Sequence, residues 1–430
     1  MTTPVPTPEP GPAADLLEDL TWRGLLAHST DLDALGDALR AASVKFYVGF
    51  DPTAPSLHMG NLVQILTAMR LQRAGHTPYL LVGGATGMIG DPKESGERTL
   101  NTAETVAEWV ERVRRQIEPF LSFEGPNAAT MVNNYDWTSN LSTIDFLRDI
   151  GKHFPVNRML ARDVVKSRLE AGISYTEFSY VLLQSMDFLE LFRQHGVTLQ
   201  FGGSDQWGNL TGGVELIRRA DGGHAHAFAT PLVTKADGTK YGKTEGGALW
   251  LDPEMMSPYA FFQFWLNVED EKVGELLRIF TFLPREQIEQ VVADHVEKPF
   301  LRSAQRLLAE EVTTTVHGAE ATRGIQAASA ALFSGGSLVE ADVDVLLQAL
   351  ATARPLVTAE PGATVTDLFV GSGLVASRGE ARRAVAEGGA YVNNERVSDP
   401  DHVPATADFL GGRVLVLRRG KKNFAGVTAP

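Results

Sequence analysis

FYVGFDPTAPSLHMGN, residues 46–61, holds a short apolar run, an Asp-Pro stop and the start of a helix. Phe46 to Phe50 predicts a strand that ends at Asp51-Pro52. From Met59 onward, Met59, Leu62, Val63, Leu66 and Met69 recur at helical spacing, and Gly75 closes the helix. Pro78 to Val82 is then a continuous apolar run stopped by Gly83-Gly84. Strand, helix, strand in this order is the unit of a parallel sheet covered on both faces.

A second such group starts near Val197. Val197 to Phe201 predicts a strand broken at Gly202-Gly203, a helix follows over about Gln206 to Arg219, and Phe228 to Val233 predicts another strand shortened by Pro231. Between the groups, Thr102 to His195 reads as mostly helical. From Pro258 to about Phe333 the pattern is helical, with a break at Ser334 to Ser337. Further on, Ser377 and Glu380 make a capping box for a helix that stops at Gly388-Gly389, and Tyr391-Val392, Asn393-Asn394 and Arg396-Val397 predict a hairpin. The expected fold class is α/β. A Rossmann-like doubly wound parallel sheet over residues 15–250 carries a helical insertion at about 102–195. An α-helical domain (251–350), a linker (351–362) and a small α+β domain (363–430) follow it. The proline-alternating residues 1–14 read as a disordered tail rather than a secretory signal.

Composition narrows the function. The chain has 430 residues, 43% hydrophobic and 21% charged, enough for a large core. It has no apolar run of about 18 residues, so no membrane partner is expected. With no cysteine there is no disulfide and no thiolate metal site, and a cytoplasmic location is expected. No HExxH-type ligand spacing occurs, so no protein-bound zinc or other metal is expected. Net charge is −14, yet Ala363 to Pro430 holds nine Lys+Arg against seven Asp+Glu, a net of +2, which leaves −16 for the remainder. Five of the ten residues Arg413 to Lys422 are basic, which makes that tail one place for RNA to bind, although a solvated tail has the same composition.

Five motifs carry chemistry. At Asp51 to Asn61 a helix N-terminus follows a strand, where free N–H groups and the dipole favour an anion, with Gly60 allowing close approach and His58 and Asn61 on one face. Lys235 to Thr244 (KADGTKYGKT) is a loop with two lysines, Lys240 and Lys243, three apart. Tyr180, Gln184 and Asp187 stand at i, i+4 and i+7 on one helix face. GGATGMIGDP (83–92) and GGSDQWGN (202–209) are glycine-rich turns between strands and helices. The first is neither a P-loop nor a GxGxxG fingerprint. Each signal alone fits an ordinary cap, loop or turn.

Their number and order do not. Tyr47 to Asn61 resembles the HIGH region of class I aminoacyl-tRNA synthetases, and Lys240-Tyr241-Gly242-Lys243-Thr244 resembles the KMSKS motif of the bacterial tyrosyl enzymes. GGATGMIGDP, FLRDIGKHF (146–154), YTEFSY (175–180) and GGSDQWGN resemble that same family in the same order, and the C-terminal segment is similar to an S4 RNA-binding domain. The resemblance covers Leu16 to Phe424. It implies that Tyr47 and Asp187 hydrogen-bond a tyrosine hydroxyl, and that Asp91, Tyr180 and Gln184 hold its ammonium. It further implies that His58, Asn61, Thr53, Lys240, Lys243 and Thr244, with Arg98, surround the ATP phosphates. Gly49, Asp51, Gly60, Gly203, Asp205 and Gln206, with Lys243, would line the adenylate side. Three departures stand out: Asn61 replaces the second histidine of HIGH, Val48 stands where many relatives have cysteine, and the loop from Pro92 to Arg98 is shorter than in some relatives.

The resemblance implies activation of L-tyrosine by ATP with Mg²⁺, transfer to the tRNA for tyrosine, tRNA(Tyr), and a homodimer. Arg378, Arg382, Arg383, Arg418, Arg419, Lys421 and Lys422 are the candidate RNA contacts. A tryptophanyl enzyme is disfavoured because an indole has no hydroxyl for Tyr47 and Asp187. The alternative from another class is a catalytically silent synthetase-like RNA-binding protein.

Overall fold

The computed structural model describes residues 16–92, 96, 100–239, 241, 248–333 and 337–430. The tail 1–14, Arg98, Lys240, Lys243, Thr244 and most of the break after Phe333 lie outside the described residues. The chain divides into two compact units. The first runs to Met255 and takes in Glu269–Glu297; the second comprises Met256–Val268 and Lys298–Pro430.

The first unit is built on a six-stranded sheet: β1 (His28–Ser29), β2 (Lys45–Phe50), β3 (Thr77–Val82), β4 (Thr130–Asn133), β5 (Leu199–Gly203) and β6 (His226–Thr230), in the order β1-β6-β5-β2-β3-β4. All pairs are parallel except β1 with β6. The order reverses between β2 and β5, and the crevice beyond their carboxyl ends is where this fold binds ligands. Asp51 follows β2 and Ser204 follows β5, so both glycine- and acid-bearing motifs open on that crevice.

Two sequence expectations change in detail. The Met59–Arg73 helix is buried on nearly every side from Leu62 to Gln72, not along one stripe. Its polar residues are matched there: Gln64 Nε2 donates to Thr230 Oγ1 at 2.7 Å, and the Arg70 guanidinium donates to the carbonyls of Leu66, Ile279 and Thr281. Arg23 donates to Thr281 O as well, so two arginines cap the end of the Val273–Phe280 helix. The supposedly helical insertion also contains β4, whose short, half-buried sequence Thr-Met-Val-Asn gives no alternation to detect. Pro231 ends β6 at Thr230, and Gly75, at φ +95°, ends the helix before β3.

The second unit contains the helices Pro258–Leu266, Ser303–His317, Ala319–Phe333 and Val343–Ala353, then a five-stranded sheet. Its strands are β7 (Val357–Thr358), β8 (Ala390–Val392), β9 (Glu395–Arg396), β10 (Val414–Arg419) and β11 (Asn423–Thr428), in the order β7-β11-β10-β8-β9. The stretch read as a linker therefore holds a strand, β7, paired parallel to β11. Asn393 and Asn394, at φ 49° and 67°, form the tight turn between β8 and β9, and Ser377 Oγ caps the Arg378–Ala386 helix.

Candidate active site

Asp187 lies on the long Tyr175–His195 helix, capped by Ser174 and closed by left-handed Gly196. Its carboxylate is 2% exposed and accepts from Asn134 Nδ2 at 3.0 Å and from Trp137 Nε1 at 2.9 Å. Burial pushes its pKa up to about 8, against the two donors, which favour the charged form. The Tyr47 ring, from β2, packs against Phe188 with centroids 5.2 Å apart. Its hydroxyl is buried with no hydrogen-bond partner among the described residues, and burial, with the charges of Asp187 and Asp51, holds its pKa well above 10. A buried unpaired hydroxyl beside a buried carboxylate costs free energy unless a third polar group enters.

The adjacent wall is acidic. Tyr180 OH donates to Asp51 Oδ2 at 2.6 Å, and Thr86 Oγ1 donates to Asp51 Oδ1 at 2.6 Å. Asp91 accepts from Gln206 Nε2 at 2.9 Å and Asn209 Nδ2 at 3.1 Å. The charges of Asp51, Asp91 and Asp187 all act on Tyr180. Gln184 Oε1 is buried without a partner among the described residues. Asp51, Asp91 and the unmet Gln184 oxygen give this wall the acceptors that an ammonium group needs.

His58 is the N-cap of the Met59–Arg73 helix. Its Nδ1 accepts from Gly60 N–H at 3.0 Å, while Asn61 Oδ1 accepts from His58 N–H at 3.0 Å. A ring nitrogen that accepts carries no proton, and desolvation holds the His58 pKa below 6.5, so the neutral ring presents Nε2–H. Asn61 uses its oxygen for the cap, and its Nδ2 group has no partner among the described residues. Asp205 is close enough for its charge to act on His58, which brings the two strand-end motifs together. Leu249 to Leu251 returns beside them: Met59 N–H donates to Leu249 O, Leu251 N–H to Leu57 O, and Trp250 bridges His58. The segment that contains Lys240, Lys243 and Thr244 thus re-enters the described structure next to His58.

The glycines serve packing here. A Cβ on Gly83 would stand 2.1 Å from Asp51 Oδ1 and 2.3 Å from Thr86 Oγ1. On Gly60 it would meet the His58 ring at 2.9 Å, so the space expected for a ligand is taken by the protein's own side chains. On Gly203 it would meet Asp205 Oδ1 at 2.5 Å, whereas Gly49 has ordinary room. Thr53 stays exposed, its N–H bonded to Asp51 O. Thr86 and Asn209 lie in the two glycine-rich motifs without a role assigned from sequence, while Asn134, Trp137 and Arg162, whose guanidinium donates to Asn209 Oδ1 at 2.5 Å, escape the sequence reading. For Asn134 and Trp137 the hint is the polar cluster Asn133-Asn134-Tyr135-Asp136-Trp137 at the end of β4.

In the second unit the basic candidates separate. Arg378 pairs with Asp367, Arg382 with Asp401 and Arg419 with Glu380, while Arg418 lies 3.7 Å over the Tyr391 ring. Arg383, Lys421 and Lys422 have no ion pair among the described residues.

Residues 40–334 match the family described as tRNA synthetases class I (W and Y), and residues 347–427 match the tyrosine–tRNA ligase SYY-like C-terminal domain. The chain is 62% identical over 416 residues to a tyrosine–tRNA ligase of Streptomyces coelicolor, covering 96% of this chain and 98% of that one. It is 58% identical over 417 residues to one of Kineococcus radiotolerans, covering 97% and 99%. A C-terminally truncated mitochondrial tyrosyl-tRNA synthetase of Aspergillus nidulans superposes with a TM-score of 0.67 at 29% identity, over 74% of this chain and 94% of that one.

Proposed function

The chain belongs to the bacterial tyrosine–tRNA ligases of synthetase class I, and from that membership we propose how its own residues divide the work. It activates L-tyrosine with ATP and joins the amino acid to tRNA. The observation that carries the residue assignment is the buried, unpartnered Tyr47 hydroxyl beside Asp187. The substrate hydroxyl fills that gap, donating to Asp187 and accepting from Tyr47. Phenylalanine leaves both unmet, which is how the site rejects it. The ammonium sits against Asp91, Gln184 Oε1 and the lone pair of Tyr180.

The tyrosine carboxylate then attacks the α-phosphorus of ATP, and the bond to pyrophosphate breaks. A terminal ribose hydroxyl of tRNA(Tyr) next attacks the tyrosyl carbonyl, and AMP leaves. His58 Nε2–H and Asn61 Nδ2–H donate to the phosphates, joined by Lys240, Lys243, Thr244 and Arg98, with Thr53 nearby. Gly49, Asp205 and Gln206 border the adenylate, while Gly60 and Gly203 make room for the side chains of His58 and Asp205. Asp51 faces the amino-acid side through Tyr180 and Thr86. Catalysis is positioning and charge stabilisation, and removal of one such donor costs on the order of 3 kcal/mol. Among the described residues no three acidic or histidine side chains cluster as metal ligands. Mg²⁺ would enter with the ATP phosphates, whose charge it would offset.

Arg383, Lys421 and Lys422 contact tRNA phosphates. Exposed apolar side chains in the insertion, among them Ile144, Val156 and Tyr175, support a homodimer built there. No described helix is long and apolar enough to cross a membrane, and we place the enzyme in the cytoplasm. Exchange of labelled pyrophosphate into ATP tests the assignment. It should require tyrosine, fail with phenylalanine and tryptophan, and fall by about two orders of magnitude in Lys243→Ala. Exchange with phenylalanine at the tyrosine rate would overturn the hydroxyl pocket.

A further inference from the structure

Asn134 is wholly buried and both polar atoms of its side chain are committed. Its Oδ1 accepts from Ala85 N–H at 2.8 Å. Its Nδ2 sends one hydrogen to Asp187 Oδ2 at 3.0 Å and the other to Thr86 Oγ1 at 2.9 Å. A hydroxyl has one proton, and that of Thr86 goes to Asp51 Oδ1 at 2.6 Å. The direction of every bond is thereby fixed. Asn134 is a fork, one prong ending on Asp187 directly, the other on Asp51 through Thr86. Each carboxylate has a second donor, Trp137 Nε1 for Asp187 and Tyr180 OH for Asp51.

We infer that Thr86 is a positioning residue that couples recognition of the substrate hydroxyl at Asp187 to the placement of the reacting carboxyl and ammonium end at Asp51 and Tyr180. The inference rests on the pocket assignment proposed above. A shift of the Asp187 carboxylate, such as that caused by an unmet hydroxyl site, pulls on Asn134, and the Thr86 hydroxyl passes the displacement to Asp51 and hence to Tyr180. Discrimination then falls in the rate of activation as well as in binding. The absent Cβ of Gly83 makes room for this joint, since it would collide with both oxygens of the Thr86–Asp51 bond.

Thr86→Val keeps the shape and removes the hydroxyl; Thr86→Ser keeps the hydroxyl. In pyrophosphate exchange, Thr86→Val should lower kcat for tyrosine about tenfold, more than it changes KM, and Thr86→Ser should restore most of it. In a double-mutant cycle with Tyr47→Phe the two losses should be less than additive. The inference is overturned if Thr86→Val stays within twofold of the parent, if Thr86→Ser is as impaired as Thr86→Val, or if the cycle is additive. Tyr47→Phe alone separates the two ideas: unchanged phenylalanine rejection sinks the pocket assignment itself.

Discussion

Tyr47→Phe should make the free protein more stable and the enzyme less selective. The ring stays in place against Phe188, and the residue is 1% exposed, so packing is retained. What disappears is a buried hydroxyl that has no partner among the described residues. An unmet buried polar group costs about 1–3 kcal/mol, so relief on the order of 1 kcal/mol is expected in the ligand-free state, an upward shift of about 2 °C in the thermal midpoint. With tyrosine bound the same change deletes one hydrogen bond worth about 1 kcal/mol, so the preference for tyrosine over phenylalanine falls about fivefold to tenfold. Differential scanning fluorimetry without ligand and pyrophosphate exchange with both amino acids give the two readings. A destabilised free protein, or unaltered selectivity, would refute the claim that this hydroxyl waits for the substrate's.

Gly83→Ala drives a methyl group into the oxygens of Asp51 and Thr86, which are bonded to each other and cannot both retreat; exchange activity should drop sharply, with stability lower by about 1–3 kcal/mol in urea titration. Because burial raises the pKa of Asp187 from 3.8 to about 8, the folded chain keeps a proton the unfolded chain releases between those values. Stability from this group therefore falls as pH rises through that window, and Asp187→Asn should flatten the unfolding free energy against pH by at most about 1.4 kcal/mol per pH unit. Lys421→Ala with Lys422→Ala should raise KM for tRNA, reduce its salt dependence by about one unit of slope per lysine, and leave pyrophosphate exchange unchanged; an altered exchange rate would contradict the assignment of these lysines to RNA.

Sequence patterning reveals the strands and helices around the crevice because each carries a strong local signal. β2 and β3 are apolar runs with glycine or proline stops, and the Met59–Arg73 helix has both a cap and a left-handed end. β1, β4 and β7 are short, two to four residues, and exist through tertiary pairing that no local periodicity reports. Tyr180, Gln184 and Asp187 are legible as one helix face, yet pattern alone favours a solvated face; only the burial of Tyr180 and Asp187, with Gln184 half-buried between them, shows a pocket wall. Asn134 and Trp137 remain hidden, and Thr86 is visible only as a member of a glycine-rich motif, because their importance lies in whom they touch. Gly60 and Gly83 are visible as glycines, but the reason for them, neighbouring side chains in the place of a Cβ, appears only in three dimensions.

The placement of β11 sets an order of events during synthesis. This strand, Asn423–Thr428, is made after the other four of its sheet, yet it lies between β7 and β10, paired on both edges. Until it leaves the ribosome, β10 has one open edge and β7 has no partner, so the sheet that supports the basic residues beside it cannot close. A message that stops a few codons before Asn423 therefore yields a chain able to build the Tyr47–Asp187 crevice but not this platform. Such a product would still adenylate tyrosine while holding tRNA poorly, so the adenylate would remain in the crevice without an acceptor.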